Sequence, residues 1–108
     1  MNRYLLIESR DPFESNDVAH FGRLASELAA AGNEVTMVLV HDGVLPTRSD
    51  ARSEGLHALA ASGVKVIADV FALRERGIAS DKLAAGVTAA RLEVVIDAMA
   101  SGAKTLWH

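Results

Sequence analysis

Three short apolar runs punctuate this chain, and their character narrows the folds open to it. Tyr4 to Glu8, Glu34 to His41 and Val64 to Ala68 carry consecutive aliphatic side chains with no helical period. The second, with Val35, Met37, Val38, Leu39 and Val40, is the most pronounced. A strand covered on one face alternates apolar and polar residues. A near-continuous apolar strand is covered on both, as in parallel sheets packed between helices.

The segments between the runs read as the required helices. Asp11-Pro12-Phe13 breaks the first strand, and Ser15 or Asn16 can cap a helix in which Val18, Phe21, Leu24, Ala25 and Leu28 form one apolar face. Gly32 ends it, where a left-handed residue is wanted. Asp42-Gly43 opens a loop through Pro46 to Ser49, and Asp50 to Ser62 forms a second helix with Leu56 and Leu59 inward. Asp69 caps a short third helix that runs through Leu73 and ends near Gly77. Ile78 to Gly86 reads as a loop with a helical turn around Lys82 to Ala85. Thr88 caps a last helix with Leu92, Val95, Ile96 and Met99 on one face, and Ala103 to Trp107 is a final strand. The expectation is one α/β domain over residues 1–108. It has three layers: a mostly parallel central sheet of four to five strands between helices, with right-handed crossovers. A fifth strand would fall between residues 42 and 88.

Composition then excludes whole classes of function. The 108 residues contain no cysteine. Disulfides, thiolate metal sites and cysteine nucleophiles are therefore ruled out on this chain. A formal charge of −3, with basic residues scattered among acids as in Arg74-Glu75-Arg76, argues against a nucleic-acid partner. No stretch approaches the roughly 20 apolar residues that span a bilayer. The first apolar run meets Glu8 and Arg10 too early for a signal peptide, so no membrane partner and a cytoplasmic location are expected.

Chemistry should collect where parallel strands end, since ligands of open α/β sheets bind beyond the carboxyl edge. The first strand end supplies Ser9, Arg10 and Asp11, the second His41 and Asp42, the third Asp69. Neighbouring strands would bring a histidine, carboxylates and an arginine to one rim. Nucleotide fingerprints of the G-x-G-x-x-G and G-x-x-x-x-G-K-[ST] kind are absent, and the first strand–helix loop is acidic and lacks glycine. His20, His41, His57 and His108 are not paired at metal-ligand spacing, so neither a metal nor a cofactor is expected. A triad of Ser9, His41 and Asp69 can be drawn, but no G-x-S-x-G elbow supports it. Asp69 and Asp42 also have plain structural uses, as a helix cap and as the first residue of an Asp-Gly turn. Trp107 reads as core or subunit interface.

Two short motifs carry a family resemblance. The Asp42-Gly43-Val44 after the second strand and the Leu73-Arg74-Glu75-Arg76-Gly77-Ile78 after the third, with the terminal helix–strand pair, resemble the DsrE/DsrF-like family, which includes sulfur-relay subunits of the TusD type. The resemblance covers the chain in length and element order. It implies a compact α/β domain assembled into homo- or hetero-oligomers, often trimers or hexamers, and a sulfur-relay protein as partner. It also implies a persulfide-bearing cysteine at the start of the helix after the third strand, and counting back from Gly77 puts that position at Asp69. A carboxylate has no sulfur redox chemistry, so the family's known activity cannot reside here.

The sequence thus points to a non-catalytic, oligomeric accessory subunit related to sulfur metabolism. Its expected ligand- or partner-binding residues are Ser9, Arg10, Asp11, His41, Asp42, Asp69 and Arg74. The competing expectation is a small acid–base or metal-assisted enzyme using His41 and the carboxylates at the strand rim.

Overall fold

Side-chain parity along the strands sets the layers of this molecule. A computed structural model describes residues 2–11, 17–48 and 54–108. Strand β1 (Arg3–Glu8) lies parallel to β2 (Glu34–Leu39), which lies parallel to β3 (Lys65–Asp69). Leu6 is in register with Met37 and Met37 with Val66, so these three point to one face. Ile7, Val38 and Ile67 form the corresponding row on the other. Both rows are buried, which explains the unbroken apolar runs.

The first face receives α1 (Asp17–Ala30) and α2 (Glu54–Ala61). Ala25, Leu56 and Leu59 pack there with Leu6, Met37 and Val66, and Phe21 and Leu28 fill in from the side. Each such fully buried aliphatic side chain contributes roughly 1.5–3 kcal/mol. Helix α3 (Val70–Glu75) adds Ala72 and Leu73 to the same core. The second face is covered more thinly: α4 (Glu93–Ala100) brings Val95, with Ala98 beside it, onto Leu5, Ile7, Val38 and Ile67. The cap expected at Ser15 or Asn16 and the helix start expected at Asp50 lie outside the described residues.

The sheet has five parallel strands in the order β4-β3-β2-β1-β5, with β4 at Val87–Ala90 and β5 at Lys104–Trp107. The chain steps from β1 to β4 in one direction, then returns past β1 to place β5 on its other side. Right-handed crossovers in opposite directions need opposite faces, which is why α4 stands alone on its side.

Three expectations need correction. Thr88 lies inside β4 and does not cap a helix; α4 starts at Glu93, with Leu92 at the cap position and no side-chain cap bond. The strand Val-Thr-Ala-Ala is short and alanine-rich, so its pattern is weak, and its existence rests on pairing with β3. Strand β2 stops at Leu39, and His41–Thr47 coils into a 3-10 helix rather than an open loop. Of the apolar face expected on α4, only Val95 is buried, while Leu92, Ile96 and Met99 are exposed.

Two motif positions have local causes. A Cβ on Gly43 would sit 2.3 Å from the Glu8 carbonyl oxygen, the oxygen that accepts the Val40 N–H at 2.9 Å. Only glycine lets the 3-10 helix press against the end of β1. Gly77 follows the end of α3 with φ +66°, the left-handed turn that a glycine allows. At the other end of α3, Asp69 accepts N–H bonds from Phe71 at 3.4 Å and Ala72 at 3.3 Å, an N-cap on the last residue of β3.

Gly43→Ala is expected to destabilise the fold by about 3 kcal/mol, because backbone faces backbone and cannot yield; urea unfolding would read this as a lower midpoint at unchanged slope. Asp69→Ala removes the cap and is expected to cost about 1 kcal/mol, with Asp69→Asn costing less. Equal losses for the two Asp69 variants in the same assay would contradict the capping role.

Candidate functional site

The carboxyl ends of β3, β2 and β1 lie side by side, and two concavities open at this edge. One, of about 410 Å³, is lined by His41, Asp69, Glu75, Arg76, Leu92 and Trp107, with Val40, Phe71 and Ala72 completing its wall. Each side chain arrives for a local reason. Asp69 is fixed as the cap of α3, leaving lone pairs on both oxygens beyond the bonds to Phe71 and Ala72. Arg76 lies seven residues on, two helical turns along the same side. Its Nε and Nη2 donate to Asp42 Oδ1 at 3.2 and 2.9 Å, and its Nη1 donates to the Ala72 carbonyl at 3.3 Å. Asp42 is held by this pairing at the start of the 3-10 helix. His41 precedes it with φ +48°, a left-handed value uncommon outside glycine, and its side chain is exposed.

Not all of the residues singled out in the sequence meet here. His41 and Asp69 line the same concavity, and Asp42 touches it through Arg76. Arg74 is exposed and does not line it, being two residues short of Arg76 and so turned to another side of α3. Arg10 lines the second concavity, between α1 and α2. Asp11 is buried, and the Ser9 hydroxyl donates to the His108 carbonyl at 2.9 Å. Sequence reasoning missed Arg76, Glu75, Leu92 and Trp107. The spacing of three and seven from Asp69 to Ala72 and Arg76 could have identified the arginine. Nothing in the sequence places Trp107 beside Asp69, because β5 reaches this edge only through the strand order.

A further pair was missed, at the point where the strand order reverses. Glu8, 2% exposed, faces His108, whose Nδ1 lies 2.9 and 2.8 Å from its two carboxylate oxygens. The Arg10 N–H donates to Glu8 Oε2 at 3.2 Å, and the Phe21 ring lies 5.2 Å from the imidazole, centroid to centroid. The crevice between β1 and β5, where an open sheet would admit a ligand, is thus bridged by a carboxylate–imidazole contact. Among the described residues, no three histidine or acidic side chains converge in a way that could hold a metal ion. None of the described helices is long and apolar enough to cross a membrane.

Comparison with solved structures gives relatives in fold. MTH1491, a protein of unknown function from Methanobacterium thermoautotrophicum, matches with a TM-score of 0.84 and 21% identity over 100% of both chains. The ychN protein from E. coli matches with a TM-score of 0.87 and 21% identity, again over 100% of both. BT1422 from Bacteroides thetaiotaomicron, a conserved protein of unknown function, gives 0.72 and 17%, covering 97% of this chain and 94% of its own. None of the curated proteins matches. The DsrE/DsrF-like family model matches residues 2–107, and the chain belongs to the DsrE/DsrF-like family.

Proposed function

We propose that this chain is a non-catalytic, homo-oligomeric accessory subunit of sulfur-related metabolism, which holds a small ligand or a sulfur-relay protein's segment at the Asp69 concavity. The observation that carries this reading is the state of Asp69. It stands where the family resemblance calls for a thiol, lines a cavity of about 410 Å³, and has both oxygens engaged by backbone N–H groups. A capping carboxylate keeps the geometry of that helix start while offering no sulfur nucleophile. Arg76 supplies the positive charge and the N–H donors left over from its bonds to Asp42 and the Ala72 carbonyl, and Trp107 an aromatic wall, for whatever enters. Ser9, Arg10, Asp11 and Arg74 are outside this concavity, and the proposed binding set narrows to His41, Asp69 and Arg76, with Asp42 orienting the arginine.

The oligomeric part rests on a different observation. Leu92, Ile96 and Met99 recur at spacings of four and three along α4 and form an outward apolar stripe. Ile96 is 58% exposed and Trp107, on the neighbouring part of the edge, 67%. A stripe of this kind on a helix whose other side already packs on the sheet is suited to burial against a second copy. A trimer or hexamer is the assembly we expect, in the cytoplasm.

Light scattering at tens of micromolar should show a multimer, and Ile96→Glu should shift it to monomers with an unchanged circular dichroism spectrum. A monomeric parent protein would refute the assembly. Trp107 is the only tryptophan, so its emission reports entry into the concavity. Titration with glutathione persulfide should change that emission saturably while the protein mass, read by mass spectrometry, stays the same. Weakened binding is expected for Arg76→Gln. A stable sulfur adduct would overturn the accessory reading in favour of a carrier, and catalysed turnover of the persulfide would favour the acid–base enzyme.

A further inference from the structure

The second concavity, also about 410 Å³, lies across the 3-10 helix from the Asp69 concavity and has its own chemistry. Its floor is Met37 and Leu39 of β2, and its walls are Val18 and Gly22 of α1 against Leu56 and Leu59 of α2. No aromatic ring is among the described residues that line it. At the far end the helices are tied by a hydrogen bond between the Ser26 and Ser62 hydroxyls, 3.2 Å apart.

Two arginines, Arg10 and Arg23, line this apolar space. Both are exposed, and neither guanidinium has a hydrogen-bond or ion-pair partner among the described residues. The carboxylate that also lines it, Glu8, is taken up by His108 and by the Arg10 backbone N–H. The lining therefore combines a long aliphatic surface with two uncommitted cationic forks. Its volume falls within the roughly 300–1,000 Å³ of small-molecule pockets, which are mostly apolar with a few polar groups fixing orientation.

We infer that the space between α1 and α2 is a binding site for an aliphatic monocarboxylate, its chain over Met37, Leu39, Leu56 and Leu59 and its carboxylate at Arg10 and Arg23. Charge complementarity selects the anion, and planar guanidinium groups suit a carboxylate's paired oxygens. The aliphatic lining selects a chain over an aromatic body, for which the described lining residues offer no ring to stack on. The site shares no lining residue with the Asp69 concavity.

The test is calorimetric titration of the full chain with decanoate, kept below its micelle concentration, beside decanol and decylammonium. Saturable binding of decanoate at one site per chain is expected, with decylammonium weaker. Arg10→Gln and Arg23→Gln should each weaken decanoate by about two- to fivefold and leave decanol unchanged. A Cβ at Gly22 would stand 3.7 Å from Leu59 Cδ1, so Gly22→Leu projects a side chain across the gap between the helices. It replaces a poor helix former by a good one and should weaken decanoate about tenfold or more. Ala58→Leu closes the same space from α2 and provides the reading if the first variant unfolds. No saturable decanoate binding, equal affinity for decylammonium, or binding indifferent to both leucine variants would each overturn the inference.

Discussion

Much of this architecture converges on Glu8, the last residue of β1. Its carbonyl accepts the Val40 N–H and sets how closely Gly43 approaches, while its carboxylate meets His108 and the Arg10 N–H. One residue therefore joins β1, the segment after β2, the segment after β5 and the start of the first strand–helix connection. A buried carboxylate with partners on several elements is far more sensitive to displacement than an aliphatic residue there would be, because each lost partner leaves a polar group without water. Both concavities at the carboxyl edge take their shape from elements that Glu8 holds in place.

The two concavities divide the strand rim by chemistry. Around Asp69, charged groups are already engaged with one another or with backbone: Arg76 with Asp42, Asp69 with the first turn of α3. Between α1 and α2 the walls are aliphatic, and the two arginines have no side-chain partner among the described residues. The 3-10 helix separates these environments, with Gly43 and Pro46 toward the α1–α2 side and His41 toward the other. At Asp69 the carboxylate is committed to the helix that follows it, as the N-cap of α3.

Most of the fold could be read from the sequence because its strongest signals come from burial on both sheet faces. Val35 to Val40 has no alternative reading as an exposed strand, and Asp69 announces itself as a cap between a strand and a helix. Strand β4 was misread because Thr88 and the alanines around it have little local preference, and pairing with β3 decides their conformation. The α4 stripe deceived in another way: a helical period assigns its apolar residues to the core, yet only Val95 and Ala98 of α4 pack on the sheet face. The candidate site was half legible. Residues contributed by strand ends were found, whereas Trp107 and His108 depend on β5 lying beside β1, a long-range fact no local pattern contains.

That same adjacency has a kinetic meaning. Glu8 and His108 are separated by 100 positions, and β1 pairs with β5 from Tyr4–Lys104 to Ile7–Trp107. Pairing of β1 with β2 closes a loop of about one third that length, so it can precede the rest. Until β5 arrives, one edge of β1 carries open backbone donors and acceptors beside the buried Leu5 and Ile7. That order of folding leaves β1 as a temporary edge, and the Glu8–His108 contact marks the moment at which that edge is closed.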